Sequence, residues 1–254
     1  QQRIKASVLL AAQKEIVEQS KPDFIDINFG CPVKKVVSKG AGAGILKDIP
    51  LMEKLSREMA KHTALPITVK TRLGWDDETI YIMEVAERLQ DAGVQALAIH
   101  GRTRAQMYKG SATWEPIADV KNNPRIHIPI FGNGDVDSAE KAKSMRDDFG
   151  LDGAMIGRAS IGNPWFFKDV KHFFTTGKHL EPPSLKERVD VVKRHLSMAI
   201  DWNGDHAGLY ETRRHYSNYF KGIPNFKEYR QRMVTGESKE IVFEVLDEVL
   251  EKLA

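Results

Sequence analysis

An α/β architecture, a parallel sheet covered by helices and followed by a small all-α domain, is predicted by three features of this 254-residue chain. Short β-branched apolar runs recur at intervals typical of strand–helix units. The runs are almost wholly apolar, as in parallel strands buried on both faces. After about Thr175 the strand pattern stops and only helical periodicity remains.

The elements follow in order. Ile4–Val17 is helix-like. The strands are Phe24–Asn28, Ile67–Thr71, Ala96–His100, Ile128–Gly132 and Gly153–Gly157. Amphipathic stretches at Leu51–Lys61, Ile80–Ala92 and Ser138–Phe149 supply helices between them. Gly177–Ser184 carries a Pro-Pro pair and reads as a linker. Leu185–Trp202, Gly208–Lys221, Asn225–Met233 and Lys239–Lys252 read as four helices, the last capped near Ser238. The expected domains are therefore 1–176, a linker at 177–184, and 185–254. Five βα units fit either an open five-stranded sheet or a closed (β/α)8 barrel whose first three units lie upstream. The start at Gln1 favours the second, an N-terminally truncated barrel.

Composition narrows the function. Apolar residues at 41% and charged residues at 29% describe a folded globular chain. No apolar run nears the roughly 18 residues of a membrane span. A single cysteine excludes an internal disulfide and a Cys-rich metal site and suits a reducing, cytoplasmic setting. No metal is expected. A net charge of +3 permits a nucleic-acid partner without requiring one.

In a parallel barrel the active site lies at the C-terminal strand ends. All five ends here are polar, ionisable or glycine-rich: Asn28-Phe29-Gly30-Cys31-Pro32, Lys70-Thr71-Arg72, His100-Gly101-Arg102-Thr103-Arg104, Gly132-Asn133-Gly134-Asp135 and Gly157-Arg158-Ala159. Cys31, between Gly30 and Pro32, sits in a tight loop that presents its thiol for proton transfer; an inert buried thiol is the alternative. Lys70, inside an apolar strand, would hold a positive charge under an electron-rich ligand, or be a surface-pairing lysine. Arg72 shares its face by strand alternation. His100 is either a core histidine or part of a polar site with Arg102. The adjacent glycine loops of the last two strands, with Arg158, suit the phosphate site that barrels place between strands seven and eight, although tight turns also use such glycines.

In the helical part, Arg213, Arg214, Lys221, Lys227, Arg230 and Arg232 stand against Glu211 and Glu228, interleaved with tyrosines and phenylalanines. The stretch after Glu237 is acidic. Cations mixed with aromatics suit RNA, although such a charge run is more often a solvated helix face and many of the aromatics belong to the core.

Taken together, the strand ends resemble the tRNA-dihydrouridine synthase family, within it the bacterial B type. The stretches that carry the resemblance are Asp26–Val36, Val69–Trp75, Ile99–Arg104, Gly132–Asp135 and Ile156–Trp165. The resemblance implies a (β/α)8 barrel binding FMN, followed by a helical tRNA-binding domain. It implies reduction of a tRNA uridine to 5,6-dihydrouridine with NADPH as reductant. By it Cys31 is the catalytic acid, protonating C5 after hydride reaches C6. Lys70, His100, Asn133, Gly134, Asp135, Gly157 and Arg158 hold the cofactor, and Asn28, Arg72, Arg102, Arg213 and Arg214 the substrate. Rival readings are a flavin barrel acting on a small free pyrimidine and a non-catalytic RNA-binding fragment.

Overall fold

The computed structural model describes residues 6–253. They form two compact units that divide between Gly157 and Arg158.

The first unit opens on α1 (Ala6–Ser20) and holds the sheet: β1 (Ile25–Asn28), β2 (Ile67–Arg72), β3 (Ala96–His100), β4 (Ile130–Asn133) and β5 (Gly153–Met155). All pairs are parallel and the spatial order is the sequence order, β1 to β5. Each crossover therefore advances one strand in one direction. A doubly wound sheet reverses its order at a switch point; this sheet does not.

Between the strands lie α2 (Lys34–Val37), a 3-10 turn (Gly42–Lys47), α3 (Ile49–Lys61), α4 (Ile82–Asp91), α5 (Glu115–Asn122) and α6 (Ala139–Asp148). Local chemistry fixes their starts. Asp48 accepts from the Leu51 amide at 3.1 Å and Ser138 from the Lys141 amide at 3.1 Å, capping α3 and α6. Each main helix buries one stripe: Met52, Leu55 and Met59 of α3, Ile82, Val85 and Leu89 of α4, Ile117 and Val120 of α5.

Strand alternation separates two chemistries. Ile27, Val69, Leu97, Ile99, Ile130 and Gly132 lie on one face and are buried. The Trp114 ring, at the head of α5, seats directly against Gly132 on that face. The other face carries Asn28, Lys70, Arg72, His100 and Asn133, by the register Asn28↔Lys70, Arg72↔His100 and His100↔Asn133.

The five expected strands are all present. β4 begins at Ile130 and runs to Asn133, and β5 ends at Met155. Pro129 has no N–H to give a ladder, though its carbonyl accepts from Leu97 at 3.0 Å. Helix α5, not expected from periodicity, starts at a Trp-Glu-Pro sequence that suits a helix head.

The second unit contains α7 (Phe166–Thr176), α8 (Leu185–Asn203), α9 (Asp205–Arg213), α10 (Tyr216–Tyr219), α11 (Lys227–Thr235) and α12 (Lys239–Leu253). A full capping box between Ser184 and Glu187 starts α8. The expected helix over Gly208–Lys221 is two helices, with Arg214 and His215 between them. Val189, Val192, Leu196, Tyr216, Met233, Val242, Leu246 and Val249 share one core.

A Cβ at Gly132 would overlap the Trp114 ring, whereas one at Gly157 would meet nothing within 4 Å. In urea unfolding, Gly132→Ala is expected to cost about 1–3 kcal/mol by overpacking, and Gly157→Ala less than about 0.5 kcal/mol. Equal midpoints for the two variants would contradict this packing.

Candidate active site at the strand ends

The loop after β1 is held by its backbone. Phe29 N–H donates to the Lys70 carbonyl at 2.7 Å, and Gly30 N–H to the Asn28 side-chain oxygen at 2.9 Å. Arg72 Nε donates to the Gly30 carbonyl at 2.8 Å, and Ala43 N–H to the Cys31 carbonyl at 2.9 Å. Gly42, at φ +52°, lies so close that a Cβ would sit 2.9 Å from Cys31 Cβ. Cys31 is thus fixed on both sides while its thiol stays half-exposed.

Lys70 is half-buried, and its amine makes no hydrogen bond or ion pair with the described residues. Burial, then the Arg72 charge, pull its amine below the ordinary lysine range, and Asp26 opposes them. Arg72 is itself buried, and its Nη1 donates to the carbonyls of Thr103 at 3.1 Å and Met107 at 3.0 Å.

The neighbouring strand end is organised by Arg102, 1% exposed. Its guanidinium grips the Asp135 carboxylate twice, at 2.9 and 2.6 Å, and donates to the carbonyls of Lys109 at 3.1 Å and Gly110 at 2.5 Å. Asp135 also accepts from Ala112 N–H at 2.8 Å. Arg102 Nη1 lies 3.3 Å from His100 Nε2. A guanidinium can only donate, so Nε2 accepts and the proton of the neutral ring resides on Nδ1. Burial, with Arg72, Lys70 and Arg102 adding to it, pushes the His100 pKa down to about 3, against a weaker pull from Asp135. His100 is therefore a neutral hydrogen-bond donor at pH 7. Gly134 closes against it at φ +123°, where a Cβ would meet Ala112 Cβ at 2.6 Å and His100 Cδ2 at 3.1 Å. Asn133 holds the next strand end by donating to the Met155 carbonyl at 2.8 Å.

The first unit therefore gathers Asn28, Cys31, Lys70, Arg72, His100 and Asn133 at one end of one sheet face. Arg102 and Asp135, expected to touch substrate and cofactor, bind each other with their charged groups. Gly157 closes the first unit in an exposed position. Arg158, Arg213 and Arg214 belong to the second unit. Arg158 is exposed in a short 3-10 turn. Arg213 lies over the Tyr210 ring at 3.9 Å and donates to the Gly236 carbonyl at 2.8 Å, while Arg214 is exposed beside His215. Among the described residues no helix is long and apolar enough to cross a membrane, and no three His, Cys, Asp or Glu converge as a metal site.

Sequence reading missed the Arg102–Asp135 pair, which joins positions 33 residues apart. It also missed the cations at Trp75, whose ring has Lys47 Nζ at 3.9 Å and the Arg104 guanidinium at 4.6 Å. Trp75 falls within a stretch already singled out, so its motif was visible while its partners were not.

Residues 4–254 match the profile of the dihydrouridine synthase family. The chain belongs to the dihydrouridine synthase family. Among related proteins, "Probable tRNA-dihydrouridine synthase 1" of Synechocystis is 39% identical over 240 residues, 94% of this chain and 66% of that protein. "tRNA-dihydrouridine synthase B" of Pseudomonas putida is 40% identical over 227 residues, 89% of this chain and 66% of that protein. The protein of that name from Pseudomonas aeruginosa is 39% identical over 220 residues, 87% of this chain and 65% of that protein. The chain thus spans just under two thirds of the length of these relatives.

The depressed His100 pKa makes a pH prediction. The ring is neutral when folded but takes a proton near pH 6.5 when unfolded. Its contribution is present above about pH 6.5 and is lost as pH falls toward 3. Urea unfolding from about pH 7 to about pH 4 should show a smaller loss of stability in His100→Gln than in the unaltered chain. An identical loss would contradict the neutral, buried ring.

Proposed function

We propose that this chain carries the catalytic face of a tRNA-dihydrouridine synthase that reduces a tRNA uridine to 5,6-dihydrouridine. Its five βα units correspond in this reading to the last five of a (β/α)8 barrel. The sequential, one-directional strand order supports that winding. The proposed cofactor is FMN, with NADPH as the source of reducing equivalents.

The residues present fit a flavin mononucleotide. Lys70 offers an amine without a protein partner, and His100 offers an Nδ1–H donor on the same face. An electron-rich ring and a phosphate both suit a face on which Lys70 and Arg72 lack a carboxylate partner among the described residues. Asn133, Gly134, Asp135 and Gly157 would receive the ribityl chain and phosphate, chiefly through backbone amides, since the Asp135 carboxylate is held by Arg102. Bound there, FMN would supply the hydride chemistry of the reduction. Cys31 gives its thiol proton to C5, completing the reduction with one hydride and one proton, and regains a proton from solvent. Asn28 lies beside the base. Arg72, spent on loop carbonyls, holds the Cys31 loop in place and adds positive charge beside the thiol. In the second unit, Arg214 and its basic neighbours offer a surface for the tRNA backbone.

The observation that carries the reading is the Cys31 thiol, fixed by four backbone and side-chain bonds of its loop at the same strand ends as Lys70 and His100, in a member of this family. Cys31→Ala should keep FMN binding and lose about 100-fold or more of dihydrouridine formation on unmodified tRNA. Undiminished product from that variant would overturn the acid assignment. Reduction of free uracil with no activity on tRNA would favour the small-pyrimidine reading.

A further inference from the structure

The loop after β3 is tied to its surroundings along its length by hydrogen bonds. Arg104 N–H donates to the Gly74 carbonyl at 2.9 Å and Ala105 N–H to the Trp75 carbonyl at 2.8 Å, extending the pairing of β2 with β3 beyond both strands. Thr103 and Gln106 bond each other reciprocally at 2.8 and 3.3 Å. Two buried arginines reach the loop from below, Arg72 at Thr103 and Met107, Arg102 at Lys109 and Gly110. Met107 is held at φ +53°, a left-handed conformation unusual for a side chain of its size.

What this scaffold presents is aromatic and cationic. Tyr108 is 56% and Met107 40% exposed, and the Arg72 guanidinium underlies the Tyr108 ring at 5.8 Å. Beside them, Lys47 and Arg104 both lie over the Trp75 ring. No carboxylate of the described residues lies within ion-pair distance of either cation, and Arg104 Nε is buried without an oxygen partner. The nearest acidic turn is partly engaged: Thr79 donates to Asp76 at 2.7 Å and Thr103 to Asp77 at 3.4 Å, which leaves Glu78 exposed. Flat π surfaces next to unneutralised cations are the recognition chemistry of unpaired nucleotides.

We propose that the Thr103–Gly110 loop, with Lys47 and Trp75, is a binding surface for the nucleotides flanking the reacting uridine. Tyr108 stacks an unpaired base, and Lys47 with Arg104 receives a phosphodiester. This surface rests on the tRNA reading above and deepens it: it makes the chain select a polynucleotide over a free nucleoside. Clamping the loop in advance removes ordering cost from binding.

Equilibrium binding of an unmodified tRNA transcript, measured across a salt series, tests the surface. Tyr108→Ala is expected to weaken binding about 10-fold or more, and Tyr108→Phe to restore it. The double variant Lys47→Gln/Arg104→Gln should lower the slope of log affinity against log salt by about 1. Tyr108 and Lys47 are exposed, and thermal unfolding of each variant confirms that the fold is kept. Affinity and slope unchanged in folded variants, with the unaltered chain binding tRNA, overturn this surface alone. No tRNA binding by the unaltered chain overturns the tRNA reading and the surface with it.

Discussion

The Arg102 guanidinium is the constraint on which the site depends. It is almost fully buried, and all three of its nitrogens are committed, to Asp135, to the carbonyls of Lys109 and Gly110, and to His100 Nε2. A buried ion pair rarely adds much stability over apolar packing, because both charges lose their hydration. Its value here is in specification. The pair ties the end of β3 to the end of β4, fixes where the intervening loop returns, and sets the histidine tautomer. Removing one partner would leave the other charge buried and strand the loop carbonyls.

From that centre the electrostatics of the face follow. Lys70, Arg72, His100 and Arg102 share one region, and only Asp135 offsets them among the groups that act on His100. The protein answers the crowding by keeping His100 neutral and by drawing the Lys70 amine down. Arg72 stays charged because a guanidinium cannot be deprotonated in practice, and it spends its donors on backbone carbonyls. A face with surplus positive charge and a lysine without a protein partner is poised for an electron-rich, anionic ligand. Cys31 follows β1 in the loop that Arg72 holds at the same strand ends.

Much of this was legible in the sequence. The five strands announce themselves because buried parallel strands are continuous apolar runs, and the polar residues that end them stand out against that background. Alternation placed Lys70 and Arg72 on one face correctly, since a strand admits no other period. What stayed hidden depends on pairing at a distance. Arg102 reads as a ligand-facing cation until Asp135 is brought to it, and Trp75 as a motif residue until Lys47 and Arg104 close over it. Helix α5 was missed because its buried stripe is only Ile117 and Val120, too short for periodicity to reveal. The break at Arg214 and His215 was missed because propensity carries through a turn that packing interrupts.

The central claim is that the face bearing Cys31, Lys70 and His100 holds a flavin. The most direct test is the visible absorbance spectrum of this chain after incubation with FMN and removal of free cofactor by desalting. A flavin held there leaves a retained oxidised-flavin spectrum that is lost on Lys70→Glu, which reverses the charge where the ring is expected. A chain that emerges colourless, or one whose bound flavin is indifferent to that reversal, would contradict it.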